Sequence, residues 1–294
     1  MKFDKLLKKV GIGDDDTPNF LKFQGKYTPH QKLLWCGSDD INGHRRSKKT
    51  HPKKFKYWKD RSITYKYNNL GFRSDFDFLP GMHGDIYLGC SFTEGIGLPL
   101  ECAWPTLLSN YLKTPGFNLG IGGYSIDSCF RHLVAAYRYG LKFKRVFLLA
   151  PPANRYEHII NDNDLFKPYL SQRHQDNQII HTMPSMMNHL WSDQVKLDGN
   201  NQFISSFLIG GRNNSLVNSL KTILAIQAFT VEAGARFFYL TYEEMSKAHH
   251  WNSAKKYRTH KSVPARDGHW ASYYHKYLKA QFVSNYGGID KTLI

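Results

Sequence analysis

Lys144–Ala150 (KRVFLLA) is nearly continuous in apolar residues, the pattern of a strand covered on both faces. Three shorter runs resemble it: Asp85–Gly89 (DIYLG), Gly116–Leu119 (GFNL) and Arg236–Thr241 (RFFYLT). Between and after them lie stretches with apolar residues at helical spacing, over 100–112, 127–140, 216–233 and 271–283. Alternating strands and helices of this kind predict an α/β fold, a three-layer α/β/α sandwich with a central parallel sheet. Asp127 is the expected N-cap of the second helix and Gly140 its C-cap. With 294 residues the chain buries roughly three quarters of its unfolded surface and needs no disulfide or metal staple.

Residues 1–82 have another texture, rich in Lys, Asp, Asn and Gly with short aromatic islands. They are expected to form a basic arm packed on a core domain of residues 83–294, with Arg73 bracing the two together. The chain carries a net +16, and the run Arg45–Arg61 holds nine Lys and Arg against the single acid Asp60, half of that charge. Tyr57 and Trp58 are interleaved, so the run invites an acidic surface or polyanion. The plainer reading is a solvated, self-repelling linker with apolar anchors, outside the part that carries chemistry. No zinc-finger, RNP-type or heptad pattern accompanies it, so nucleic acid is not the expected partner. Residues 155–213, rich in Asn, Gln, His, Met and Pro, read as an insertion near the site, with Met183, Met186 and Met187 packing it.

The four cysteines form no CxxC pair and no metal-ligand spacing, so reduced thiols and no metal are expected. His249 and His250 lack further ligands at useful spacing and are assigned to a surface loop, and Arg155 with Glu157 to a local ion pair. The first sixteen residues have no apolar core of signal-peptide length, and no stretch approaches the ~20 apolar residues of a membrane span. Residence without export, cytoplasmic by default, is the resulting expectation.

In parallel α/β sheets ligands bind at the carboxyl ends of the strands, so the loops just after each strand carry the chemistry. Gly89-Cys90-Ser91-Phe92-Thr93-Glu94-Gly95 sets a serine on a tight turn entering a helix. Asn118-Leu119-Gly120-Ile121-Gly122-Gly123 permits close backbone approach to a substrate oxygen. Pro151-Pro152-Ala153-Asn154 offers an amide, and Arg266-Asp267-Gly268-His269-Trp270 sets a carboxylate two residues before an imidazole.

A Ser loop, Gly loop, Asn loop and Asp-x-His in this order resemble the SGNH hydrolase superfamily, or GDSL-type lipases and esterases, over residues 85–283. The resemblance implies a flavodoxin-like SGNH hydrolase fold and no cofactor. It implies Ser91 as nucleophile, Asp267 and His269 as its triad partners, and an oxyanion hole of Ser91, Gly123 and Asn154. The function so implied is a serine esterase acting on a small acyl ester such as an O-acetyl group on a glycan. Cys90 stands where the family usually has Asp, and Asn154 follows Pro-Pro-Ala where the family has Gly-x. The Asp-x-His-Trp form is similar to that of SGNH-like polysaccharide O-acetyltransferases, which makes acyl transfer to a sugar hydroxyl the alternative. A non-catalytic module of the same fold is the third reading, expected if Ser91, Asp267 and His269 do not converge.

Overall fold

The computed structural model describes residues 23–159, 179–182 and 212–285. In the arm, β1 (Lys32–Leu33) leads to two helices, α1 (Ile41–Thr50) and α2 (Pro52–Trp58), and β2 (Tyr65–Lys66) returns antiparallel to β1. The cationic run is therefore helical, not the linker its charge suggests. Asp40 caps α1 by accepting from the Gly43 N–H, and Pro52 starts α2 where its missing N–H costs nothing. Lys48 and Lys49 fall in the last turn of α1, where the exposed carbonyls favour cations. Trp58 is buried with Cys36, Ile63, Tyr65, Tyr67 and Ile96, so the helices have an apolar seat beneath their charge.

The core runs β3 (His83–Leu88), α3 (Ser91–Glu94), α4 (Trp104–Leu112), β4 (Gly116–Asn118), α5 (Ile126–Tyr139) and β5 (Lys142–Ala150). A backbone hairpin of β6 (Tyr156–Ile159) and β7 (Ile179–Thr182) follows, antiparallel. Then come α6 (Arg212–Glu232), β8 (Arg236–Thr241), α7 (Tyr242–Met245), α8 (Ala248–Lys255) and α9 (Ser272–Ser284). Most of the expected insertion, with Met183, Met186 and Met187, lies outside the described residues, as does the chain before residue 23.

Four strands form one parallel sheet in the order β4-β3-β5-β8. Side chains alternate across it. Ile86, Leu88, Val146 and Leu148 pack with Leu133 and Ala136 of α5 and Ile226 and Phe229 of α6. Tyr87, Phe147, Leu149, Phe238 and Leu240 pack on the other face with Trp104 and Leu108 of α4 and Leu278 and Phe282 of α9. Helices thus flank both faces, as the strand pattern predicts and as a three-layer sandwich requires. Because the chain leaves β3 toward one face and β5 toward the other, a crevice opens between their carboxyl ends.

Three local expectations are corrected. The N-cap of α5 is Ser125, which exchanges hydrogen bonds with Ser128; Asp127 sits in the first turn and accepts from Asn218 and Thr222 of α6. The segment 100–112 is a 3₁₀ turn at Leu100–Cys102 followed by α4, separated by an extended Ala103. His249 and His250 belong to α8, not to a loop, and His250 Nδ1 lies 2.8 Å from the Tyr277 hydroxyl.

Arg73 braces arm and core, as expected. It is 1% exposed and donates to the carbonyls of Glu94, Gly95 (2.5 Å) and Leu98 (2.7 Å).

Candidate active site

Ser91 opens α3 directly after β3, in the middle of the sheet edge. Gly95, at φ +80°, ends this single turn by returning its N–H to the Ser91 carbonyl at 2.9 Å. A serine fixed between a strand end and so short a helix has its backbone position set by the sheet itself.

His269 Nε2 lies 2.7 Å from Ser91 Oγ, although 178 residues separate them in sequence. The other ring nitrogen, Nδ1, is 2.6 Å from Asp267 Oδ2, and the His269 backbone N–H donates to Asp267 Oδ1 at 2.9 Å. With Nδ1–H donated to the carboxylate, Nε2 is left as the acceptor for the serine hydroxyl. Phe92 packs against the ring, with centroids 4.7 Å apart, and Trp270 packs in turn on Phe92 at 4.1 Å. Burial raises the Asp267 carboxyl, but hydrogen bonds from the His269 side chain and backbone, the charge on His269 and the Ser38 hydroxyl outweigh it. The net effect holds that carboxyl below its usual range.

The glycine loop reaches the same place. A Cβ built on Gly122 would stand 3.5 Å from the Ser91 Cβ and 3.1 Å from Glu94 Oε2. Gly123 has φ +89°, a conformation that favours glycine. The Gly122 N–H is already committed: it donates to Glu94 Oε2 at 2.6 Å. Glu94 is buried, and its other oxygen accepts from the Tyr67 hydroxyl at 3.1 Å. Burial pushes its carboxyl up, opposed by the Gly122 N–H, Arg73, Lys26 and Tyr67. Cys36, beside it, is pushed up to about 12 by burial and then by Glu94, so it stays a thiol at neutral pH.

Asn154 is exposed on the turn after β5, and among the described residues no hydrogen bond ties its side chain to the triad. Its neighbours fix the turn: Ala153 N–H donates to Glu243 Oε1 at 2.9 Å, and Arg155 reaches the Tyr124 carbonyl at 3.5 Å. The expected Arg155–Glu157 pair is not formed. Glu157 pairs instead with Arg131 of α5, at 2.8 and 3.0 Å, because α5 presents a planar two-pronged donor to the start of β6.

Sequence reasoning missed the arm's share of the site and placed the arm away from the chemistry. Ser38 Oγ donates to Asp267 Oδ2 at 2.7 Å, and Lys54 Nζ donates to the Asp267 carbonyl at 2.5 Å. Asp39 binds Arg266 through both carboxylate oxygens, at 2.7 to 3.0 Å, with both side chains buried. Trp58 Nε1 donates to the Pro264 carbonyl at 2.9 Å. From the core, Gly97 completes the seat: at φ +80°, it lies so close that an added Cβ would fall 2.3 Å from Asp267 Oδ1. These partners lie some 170 to 230 positions away from the loop they hold, and no local spacing in the sequence announces them.

Among the described residues no group of three or more His, Cys, Asp or Glu is placed to hold a metal ion, and no helix is long and apolar enough to cross a membrane. No protein-family model and no curated protein matches the chain.

Proposed function

We propose that this protein is a serine esterase of the SGNH hydrolase type that cleaves a small acyl ester, with O-acetyl groups on a glycan as the substrate class. The observation that carries the reading is the continuous hydrogen-bonded chain Ser91–His269–Asp267, with links of 2.7 and 2.6 Å. A serine from one loop and an Asp-His pair from another, 178 residues apart in sequence, meet in the order and polarity that nucleophilic catalysis needs, which weighs against a non-catalytic module of the fold.

In this reading Ser91 Oγ attacks the ester carbonyl while His269 Nε2 takes its proton. Asp267 keeps the imidazole in the right tautomer and stabilises the imidazolium that forms. The tetrahedral oxyanion is assigned to the N–H groups of Ser91 and Gly123 and the amide of Asn154, each donor worth roughly 3 kcal/mol, about a hundredfold in rate. The tie between Glu94 and Gly122 supports this assignment, since it fixes the peptide just before the Gly123 N–H. His269 then returns its proton to the leaving alcohol, and water resolves the acyl-enzyme.

The cationic helices give the substrate a second property. Their Lys and Arg side chains from Arg45 to Arg61 are exposed apart from Lys54, which turns in to the Asp267 carbonyl. A cationic face adjoining the acid loop supports an anionic polymer as the carrier of the ester.

The test is hydrolysis of 4-nitrophenyl acetate and of an O-acetylated acidic glycan. Ser91→Ala is expected to lower kcat by about four orders of magnitude or more. Full activity in that variant would sink the proposal. Acetyl groups recovered on an added sugar acceptor, rather than as acetate, would identify the acyltransferase instead.

A further inference from the structure

The turn Cys36–Asp39 of the arm lies against the loop that carries Asp267 and His269. Its backbone closes on itself, with Cys36 N–H donating to the Asp39 carbonyl at 2.9 Å and Asp39 N–H to the Cys36 carbonyl at 3.0 Å. Gly37, at φ +58°, makes the reversal. Asp39 is then locked from two directions: Arg266 grips both its oxygens, and the Tyr65 hydroxyl donates to Oδ2 at 2.6 Å. The Arg266 guanidinium in turn lies 3.7 Å over the Trp35 ring. Ser38 is one residue from Asp39, and Asp267 is one residue from Arg266. A buried ion pair therefore sets the register between the two segments, and that register delivers the Ser38 hydroxyl to Asp267.

We infer that Ser38 is a positioning residue of the catalytic triad, holding Asp267 Oδ2 in line with the His269 ring. This rests on the esterase reading of the same site. Oδ2 receives two donors, His269 Nδ1–H at 2.6 Å and Ser38 Oγ–H at 2.7 Å, while Oδ1 receives the His269 N–H. With three donors arranged around it, the carboxylate has one orientation in which all are satisfied. Without Ser38, rotation about the Asp267 side chain loses one fewer bond, and the imidazole loses its fixed guide. Ser38 is itself exposed, at the mouth of the site, and lies 3.4 Å from His269 Nδ1. The other charged group beside Asp267 is Lys54 from α2, while the neighbouring Arg266 turns away to Asp39.

The experiment compares the wild type with Ser38→Ala and Ser38→Thr. On 4-nitrophenyl acetate, Ser38→Ala is expected to lower kcat about tenfold with KM within about twofold, the effect of removing one charge-assisted hydrogen bond. Ser38→Thr, which keeps the hydroxyl, is expected to recover most of it. Carbon-13 NMR titration of the Asp267 carboxyl gives a reading independent of turnover: it is expected to lie below the ordinary aspartate range in the wild type and to move up in Ser38→Ala. A kcat within about twofold of wild type, or a carboxyl titration unmoved in Ser38→Ala, would overturn the inference, since water would then serve as well as the serine. If the wild type neither hydrolyses esters nor reacts with a fluorophosphonate, the esterase reading fails; the carboxyl titration still decides whether Ser38 holds Asp267.

Discussion

Ser91 and Asp267 reach the same site but are held by two different kinds of structure. Ser91 stands at the end of a central strand, in a turn closed by its own neighbours: Thr93 and Glu94 donate to the Cys90 carbonyl, and Gly95 and Ile96 to that of Ser91. The sheet aims it. The Asp267 loop follows no strand directly; it comes after α8 and is fixed by Gly97 of the core and by Ser38, Asp39, Lys54 and Trp58 of the arm. One half of the site is built from local structure, the other is held by a segment from the opposite end of the chain. The basic arm is thus structurally part of the candidate site and not an appendage to it.

That contrast predicts unequal responses to damage. The largest is expected from Asp39→Ala, which strands the Arg266 guanidinium in a buried site. Losing one partner of such a pair costs about 3–5 kcal/mol of stability, measurable as a shift of the urea midpoint. Turnover should fall with it, by about a hundredfold in the fraction that remains folded, because the Asp267 loop loses its anchor. If Asp39→Ala lowers stability but leaves kcat intact, the arm supports the fold alone and the contrast collapses.

Next in size is the effect of pH on the fold. His275 is buried, accepts the Trp104 N–H on Nδ1 at 3.0 Å, and has no partner for Nε2 among the described residues. Burial, then the charges of His269 and Arg73, hold it down to about 3. The unfolded chain, with an ordinary histidine near 6.5, binds that proton first. Stability is therefore expected to fall as pH drops from about 6.5 toward 3, by up to about 1.4 kcal/mol per unit. The Asp267 carboxyl, held low, adds its own loss only below about pH 4. Urea unfolding at pH 7.5, 6 and 5 checks the slope, and His275→Gln is expected to flatten it.

The smallest effect is expected at Lys54. Lys54→Met keeps the stem but removes the donor to the Asp267 carbonyl, and kcat on a neutral ester should drop about two- to fivefold. An unchanged kcat would confine Lys54 to the docking face.

The halves of the site differed in legibility for the same physical reason. The Ser91 turn, the glycine loop and the strand pattern are local, and their residue types announce their geometry: a Ser between glycines after an apolar run, and alternating side chains on two faces of a sheet. Asp267 and His269 are two residues apart, so their pairing is also visible. Ser38, Asp39 and Lys54 act across more than 200 residues and leave no period. Their neighbours' charges, moreover, read as a solvated linker, because the burial of Trp58 beneath α1 and α2 has no pattern long enough to register. Ser125 and Asp127 were both competent caps by residue type, and only the reciprocal bond with Ser128 separates them. Arg155 and Glu157 are close in sequence, but α5 offers Glu157 the better-shaped partner in Arg131.

The proposed esterase depends on the activation of Ser91 as a nucleophile by His269 and Asp267. Its most direct measurement is reaction with a fluorophosphonate followed by intact-mass and peptide mass spectrometry. One adduct per chain is expected, located on Ser91, absent in Ser91→Ala and slowed by orders of magnitude in His269→Ala. An adduct on another residue, or labelling of Ser91 at an undiminished rate without His269, would contradict it.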